Sequence, residues 1–559
     1  MQSRKLSVSL LITMLLFTCS LFSLPVFNKF SSNKSPLIII PGKANVQFQQ
    51  NSQDIVKEAN ADDLMQQGYA YFGDENYTIA LDYYQRALGL YRELTNKKKI
   101  ANCLLNIGIV HYVTDNYAQA ILKYKEALDI LQDVDEPQLK GESKKYLGWA
   151  YFHQETYKEA IWQFDEARKF FHKILKPESE ADCAWGKALA LLNSAEYEQA
   201  VLAFEDAGNL FQRSDNPAKH AKCVYYQGYA NYQAEQYDQA IPYLQNAIRL
   251  FQSQNDSSGL SDTYGLWANS LCNRGKYPES IKIFERALEM HRKRDDHSGE
   301  ADCLDGLGNS HFQLKEYDVA SQYFGKAAPI FQILNKLSRA GASFLMQGHS
   351  FFNNDQFDRA IEPYQNAINV FSQNNDWQKE EAECWQGKAD THKNLHQYEL
   401  AINCYLKAID LFQNVLNQVK ITECYQDIGD CYFALEDYEK ARQYYHDAET
   451  KFHIIGKLSR EAACIESQAD CYLNLSFYQE ACARYKSATE IYHQLQDWKS
   501  KGNSHFNWAK CLQNIQKYND ALAQYREALA CYATIDERSR VATCHLKIGM
   551  MLQKLNSLK

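Results

Sequence analysis

Proline is scarce in this chain: ten among 559 residues, too few for a Pro-rich linker, and neither a low-complexity tract nor a long block of like charge interrupts the sequence. Sixteen cysteines are present, yet no Cys-x-x-Cys pair occurs, which removes the common redox and zinc spacings. A Gly-rich phosphate loop, a Gly-x-Ser-x-Gly elbow, a His-Glu-x-x-His helix and the kinase signature set are all missing, so no catalytic constellation can be read. Positive charge is not in excess either. The net charge of −9 disfavours a nucleic-acid footprint, which needs clustered Lys and Arg. At this length the chain is several domains or one long repeat array.

What is abundant is aromatic: 38 Tyr and 27 Phe. They fall in register. An aromatic followed three residues later by a small residue recurs at Tyr77/Ala80, Tyr117/Ala120, Tyr157/Ala160, Tyr197/Ala200 and Tyr237/Ala240, and so on to Tyr518/Ala521, twelve times in all. The step is 40 residues throughout, except for one of 41 between Phe357 and Tyr398. Seven residues after each small residue stands another Ala, and nine before each aromatic a Gly or Ala, as at Gly68, Gly108, Gly148 and Gly429. Apolar residues at i, i+3, i+4 and i+7, as in Ala80, Leu81, Tyr84, Ala87, Leu88 and Tyr91, give helical rather than strand periodicity. Short polar turns such as Asp74-Glu75-Asn76 separate the helices. Pro137, Pro177 and Pro217, also 40 apart, are read as helix stops between repeats, and Pro242 and Pro363 as slight bends within helices.

This order of Gly, bulky residue, Tyr-x-x-Ala, aromatic and Ala (Gly68, Tyr71, Tyr77, Ala80, Tyr84 and Ala87 in the first repeat) resembles the tetratricopeptide repeat. The repeat is longer than that family's usual 34 residues and mostly lacks its opening Trp; the long form is similar to that of Pins-type adaptors, rapsyn and bacterial repeat arrays. The resemblance implies an all-α fold, a right-handed superhelical α-solenoid of helix–turn–helix units. Four segments are expected: a signal peptide or membrane anchor over 1–27, a flexible tether over 28–60, twelve repeats over 61–541, and a capping helix over 542–559.

The first of these rests on Arg4 and Lys5 followed by an uncharged run from Leu6 to Phe27. Cleaved signal, retained anchor, and a helix packed on the first repeat all remain open. Export implies an oxidising compartment, whereas many free thiols suit the cytoplasm. The two clues conflict, and export is preferred, with a cytoplasmic array as the alternative.

Eight cysteines (Cys103, Cys183, Cys223, Cys303, Cys384, Cys424, Cys464 and Cys544) share one repeat position, where other repeats carry Ser or Thr. They read as small residues in a tight helix seam rather than metal ligands. His111, His311 and His392 recur at an aromatic position and read as packed imidazoles, and His291-Arg292-Lys293-Arg294 as a solvated helix end. No catalytic residue, metal site or cofactor is expected.

The function implied by the resemblance is a non-enzymatic scaffold holding a protein or peptide partner, without nucleic acid. The alternative is a structural spacer or subunit of an envelope or membrane-associated assembly, without a dedicated peptide ligand. In similar arrays the first helix of each repeat lines the concave groove, facing ligand one residue after and three before the Gly/Ala position. Carried onto this chain, those positions include Tyr69, Trp149, Trp185, Tyr225, Tyr229, Asn269, Asn309, Asp390, Asp430 and Asp470. The expected partner segment has an apolar end for the aromatics and a basic end for the three Asp.

Overall fold

Residues 44–557 are described by a computed structural model. Within them the chain forms twenty-five α-helices, from 14 to 30 residues long and mostly 17, with no strand. Twelve antiparallel pairs follow one another, each a repeat with a first and a second helix, and a final helix Arg538–Ser557 closes the series. This is the all-α solenoid of helix–turn–helix repeats that the resemblance implies. The chain divides inside the helix Ser257–Asn273 into an N-terminal unit ending at Thr263 and a C-terminal unit beginning at Tyr264.

Each repeat closes on one ring. In the N-terminal unit Tyr84, Tyr124, Phe164 and Phe204 are all 1% exposed or less, and the flanking Ala80, Ala87, Ala120 and Ala127 are fully covered. The C-terminal unit repeats this with Phe324, Tyr364, Tyr405 and Tyr485. Each buried ring contributes about 1.5–3 kcal/mol of apolar transfer. The ring lies flat against the facing first helix, which explains the glycines: a Cβ at Gly68 would stand 2.5 Å from Tyr84, and one at Gly429 would stand 2.7 Å from Tyr445. The eight seam cysteines are buried, as the spacing predicts, and the described cysteines are free thiols.

The turns depart from the sequence reading. At nearly every helix end a single residue turns left-handed, for example Glu75 (φ 59°), Leu175 (54°) and Leu416 (56°). The next N–H then reaches back five residues, as from Asn76 to the Tyr71 carbonyl at 2.8 Å, while Glu75 bonds Phe72 at 3.1 Å. This is the helix-ending motif usually served by Gly, but only Gly275 and Gly456 supply one here. The residue after it often caps the next helix; Asn96 accepts from the Lys99 N–H at 3.2 Å and Asp497 from Ser500 at 3.0 Å. Pro137, Pro177 and Pro217 are not helix stops: each sits in the first turn of the following helix, where a missing N–H costs nothing. The helices containing Pro242 and Pro363 run unbroken. The extra residue of the 41-residue step is taken up where Phe357–Phe371 stops early and a 3-10 turn, Asn375–Trp377, leads into the next helix.

The segment 1–27 and most of 28–43 of the expected tether lie outside the described residues. From Ala44 the chain is helical, so residues 44–60 are not a flexible tether but the leading part of the helix Ala44–Gly73. The reason is cooperative: once Ala61 and Met65 are buried against the second helix, extending the helix backwards through Gln, Asn, Lys and Ala needs no new nucleus. Ile55 and Val56 on that extension are exposed. Among the described residues, no helix is long and apolar enough to cross a membrane.

Candidate partner-binding wall

The first-helix residues singled out by the repeat register behave differently in the two units. In the N-terminal unit they are aromatic and lean on the buried rings. Trp149 meets Phe164 edge-on at 5.1 Å and Phe152 at 5.6 Å. Trp185 meets Phe204 at 5.4 Å and Tyr226 at 5.1 Å, and is 8% exposed, so it belongs to the core as much as to the wall. Tyr225 and Tyr229 stack at 6.4 Å and remain half-buried. Tyr69 is the most open of the five, at 36%, and its hydroxyl accepts from Asn106 at 3.2 Å.

In the C-terminal unit the same register carries polar groups. Asn269 and Asn309 are half-buried, and the Asn309 amide lies 3.7 Å from the Cys272 sulfur. Asp390, Asp430 and Asp470 form a ladder: each accepts a hydrogen bond from the central tyrosine of its own repeat, respectively Tyr405, Tyr445 (2.8 Å) and Tyr485. His349 Nδ1 likewise pairs with the Tyr364 hydroxyl, at 2.8 Å. One carboxylate oxygen of each Asp thus holds a buried phenol, and the residue as a whole stays partly open to solvent.

Further carboxylates join the ladder. Lys393 lies between Asp427 at 2.6 Å and Asp430 at 3.3 Å. Glu466 accepts from Tyr492 at 2.9 Å. Burial pushes the Asp390 carboxyl up to about 6, against the Tyr405 hydrogen bond that lowers it, with Asp427 adding repulsion. Burial likewise pushes Glu466 up to about 7, and raises Asp427 and Asp470. Asp390 and Glu466 therefore ionise closer to neutrality than ordinary carboxyls, and a cation brought against them would drive their ionisation.

The tyrosine partners were not apparent from the groove register alone. Their signal was present, though: in each of these three repeats an Asp one residue after the Gly/Ala position goes with a Tyr fifteen residues further on. The histidines fit the packed reading, with His311 stacked on Tyr323 at 5.4 Å and His392 bonded to Gln397 at 2.7 Å. The expected solvated helix end is solvated only in part: Arg292 pairs with Glu300 at 2.8 Å, while His291 is 4% exposed, its Nδ1 2.9 Å from Asp296.

Two family models match. The tetratricopeptide-repeat model covers residues 61–133 and 259–333, and the model for the soluble NSF attachment protein, SNAP, covers 148–295 and 300–454, together more than half of the chain. No curated protein matches. Among solved structures, the chain is similar to the apo form of RapI, at 18% identity over 48% of this chain and 98% of that one, with a TM-score of 0.36. It is also similar to BtubC (BKLC) from P. vanneervenii, at 16% identity over 39% of this chain and 92% of that one, with a TM-score of 0.33.

Proposed function

Since the chain belongs to the tetratricopeptide-repeat proteins, with SNAP-like repeats over 148–454, we propose that this protein-interaction scaffold seats a basic partner segment on the first-helix face of its C-terminal unit. Families of this kind are typically non-catalytic. The observation that carries the proposal is the ladder of Asp390, Asp430 and Asp470, regularly spaced, tyrosine-anchored and still partly open. Hydrogen bonds from the rings fix the carboxylates in place, so little side-chain entropy is lost when a Lys or Arg arrives. In the N-terminal unit the half-buried Trp149, Tyr225 and Tyr229, with the more open Tyr69, offer apolar anchor area of the kind that dominates hot spots. The apolar run Leu6–Phe27 supports export or membrane anchoring as the place where the scaffold works.

The test uses the full chain and fluorescence anisotropy of labelled Lys/Arg-rich and Glu-rich peptides. The basic peptide should bind, more weakly as salt rises, and more tightly as pH rises from 5 to 8 and Asp390 and Glu466 ionise. Replacing Asp390, Asp430 and Asp470 together by Asn keeps an acceptor for each tyrosine and removes only charge. That variant should bind about tenfold more weakly at low salt, with a smaller loss at high salt. If the basic peptide fails to bind, or the triple variant binds as well as the parent, the array acts as a spacer or is contacted elsewhere.

A further inference from the structure

Fourteen of the fifteen described cysteines are buried; Cys482 is not. It lies in the second helix of the eleventh repeat (Tyr478–Gln494), at a register position where other repeats place an aliphatic residue such as Ile121, Ile161 or Leu522. It packs into one cluster with Cys511, from the first helix of the twelfth repeat (Trp498–Asn514), and with Trp508 and Tyr485. A partly open thiol beside a buried one, across the seam between two packed helices, is a different arrangement from the isolated seam cysteines. We propose that Cys482 is a peroxide-reactive thiol and that Cys511 resolves it as an intramolecular disulfide.

The surroundings favour the chemistry. The neighbouring Cys511 side chain and the Lys517 ammonium hold Cys482 below the ordinary thiol range, against burial. The neighbouring Cys482 side chain and burial keep Cys511 protonated. By contrast, burial pushes the seam thiols Cys103 and Cys183 up to about 12, where the nucleophilic thiolate is rare. In the first step the Cys482 thiolate attacks a peroxide oxygen. The S–O bond forms, the O–O bond breaks, and hydroxide leaves to be protonated to water, so the sulfur is oxidised to a sulfenic acid while the peroxide is reduced. In the second step Cys511 sulfur attacks the sulfenic sulfur. The S–S bond forms, the S–O bond breaks, and the hydroxyl leaves as water with the Cys511 proton.

Full-length protein, reduced and then freed of reductant, is treated with one equivalent of hydrogen peroxide and mapped by non-reducing peptide mass spectrometry. A single crosslink between the Cys482 and Cys511 peptides is expected, with native alkylation of Cys482 at least about tenfold faster than that of the seam cysteines. In Cys511→Ser, a dimedone adduct should accumulate on Cys482. In Cys482→Ser, peroxide should leave the remaining thiols unmodified over the same period. Peroxide or alkylating agent spread evenly across the cysteines would overturn the proposal. So would oxidation of Cys482 in the parent protein without the link to Cys511. The wild-type map decides the matter even if either variant folds poorly.

Discussion

The N-terminal and C-terminal units share a period, a seam and a turn, but they solve one packing problem in two ways. Where the central ring of a repeat is Phe164 or Phe204, the first helix covers it with an apolar neighbour, Trp149 or Trp185. Where the ring is Tyr405, Tyr445 or Tyr485, the first helix supplies Asp390, Asp430 or Asp470 to receive the hydroxyl. A buried phenol needs an acceptor, and the choice of Phe or Tyr therefore sets the chemistry of the face above it. The N-terminal unit also contains the exception that proves the cost: Tyr124 is fully buried, Ile109 stands where the Asp would be, and its hydroxyl has no hydrogen-bond partner.

The largest effect should come from Trp185→Ala, which removes a ring wedged between Phe204 and Tyr226 and should cost about 3–5 kcal/mol in urea denaturation. A loss below about 1 kcal/mol would make Trp185 a free anchor and erase the distinction between an apolar, structural wall and a polar, chemical one. A finer cut compares two Tyr→Phe changes. Tyr405→Phe strips Asp390 of its donor and should cost about 1–2 kcal/mol, whereas Tyr124→Phe removes an unpaired hydroxyl and should be neutral or stabilising by thermal melting. Equal costs would break the rule that ring and first-helix residue are matched.

Acidity gives a third test, confined to the C-terminal unit. Burial keeps Glu466 protonated up to about 7 in the folded chain, against an ordinary value near 4.5. Between those values the folded state holds more protons than the unfolded one, so this group's contribution to stability falls as pH rises from about 4.5 to 7. Glu466→Gln removes that fall. The variant should match the parent at pH 4 and exceed it by about 1–2 kcal/mol at pH 8, allowing for its partial exposure to solvent. Parallel urea curves at the two pH values check this. The smallest effect should be the same in both units: Leu175→Gly and Leu416→Gly each replace a left-handed, largely exposed Leu and should add up to about 1 kcal/mol. Gains of different size would show that the turns, too, differ between units.

Much of this was legible in the residues. The period of Tyr-x-x-Ala and Gly placed the helices, the seams and the buried thiols, because small residues recur only where backbones must approach. The helix ends were less legible: nearly every left-handed position is filled by a residue other than Gly, most often Asp or Glu, so glycine, the usual signal, was missing while the backbone geometry persisted. The helix starting at Ala44 was hidden because residues 53–60 fully bury no side chain and the segment carries no apolar period. The wall residues were assigned to the correct helices by register, but register marks only which side chains share a face. That Asp430 already serves Tyr445 depends on a partner fifteen residues away, in the other helix of the repeat.

The matched Asp and Tyr also bear on how such a chain avoids folding wrongly. Twelve near-identical helix pairs emerge one after another, and any second helix can in principle dock on a first helix from the wrong repeat. A late second helix that settled on an early first helix would bury its tyrosine hydroxyl against Ile109 or Trp149, with no acceptor, at a cost of about 1–3 kcal/mol. The difference between the repeats centred on Phe164 and Phe204 and those centred on Tyr405, Tyr445 and Tyr485 thus acts as an address code, penalising cross-docking between these two sets while the chain is being synthesised.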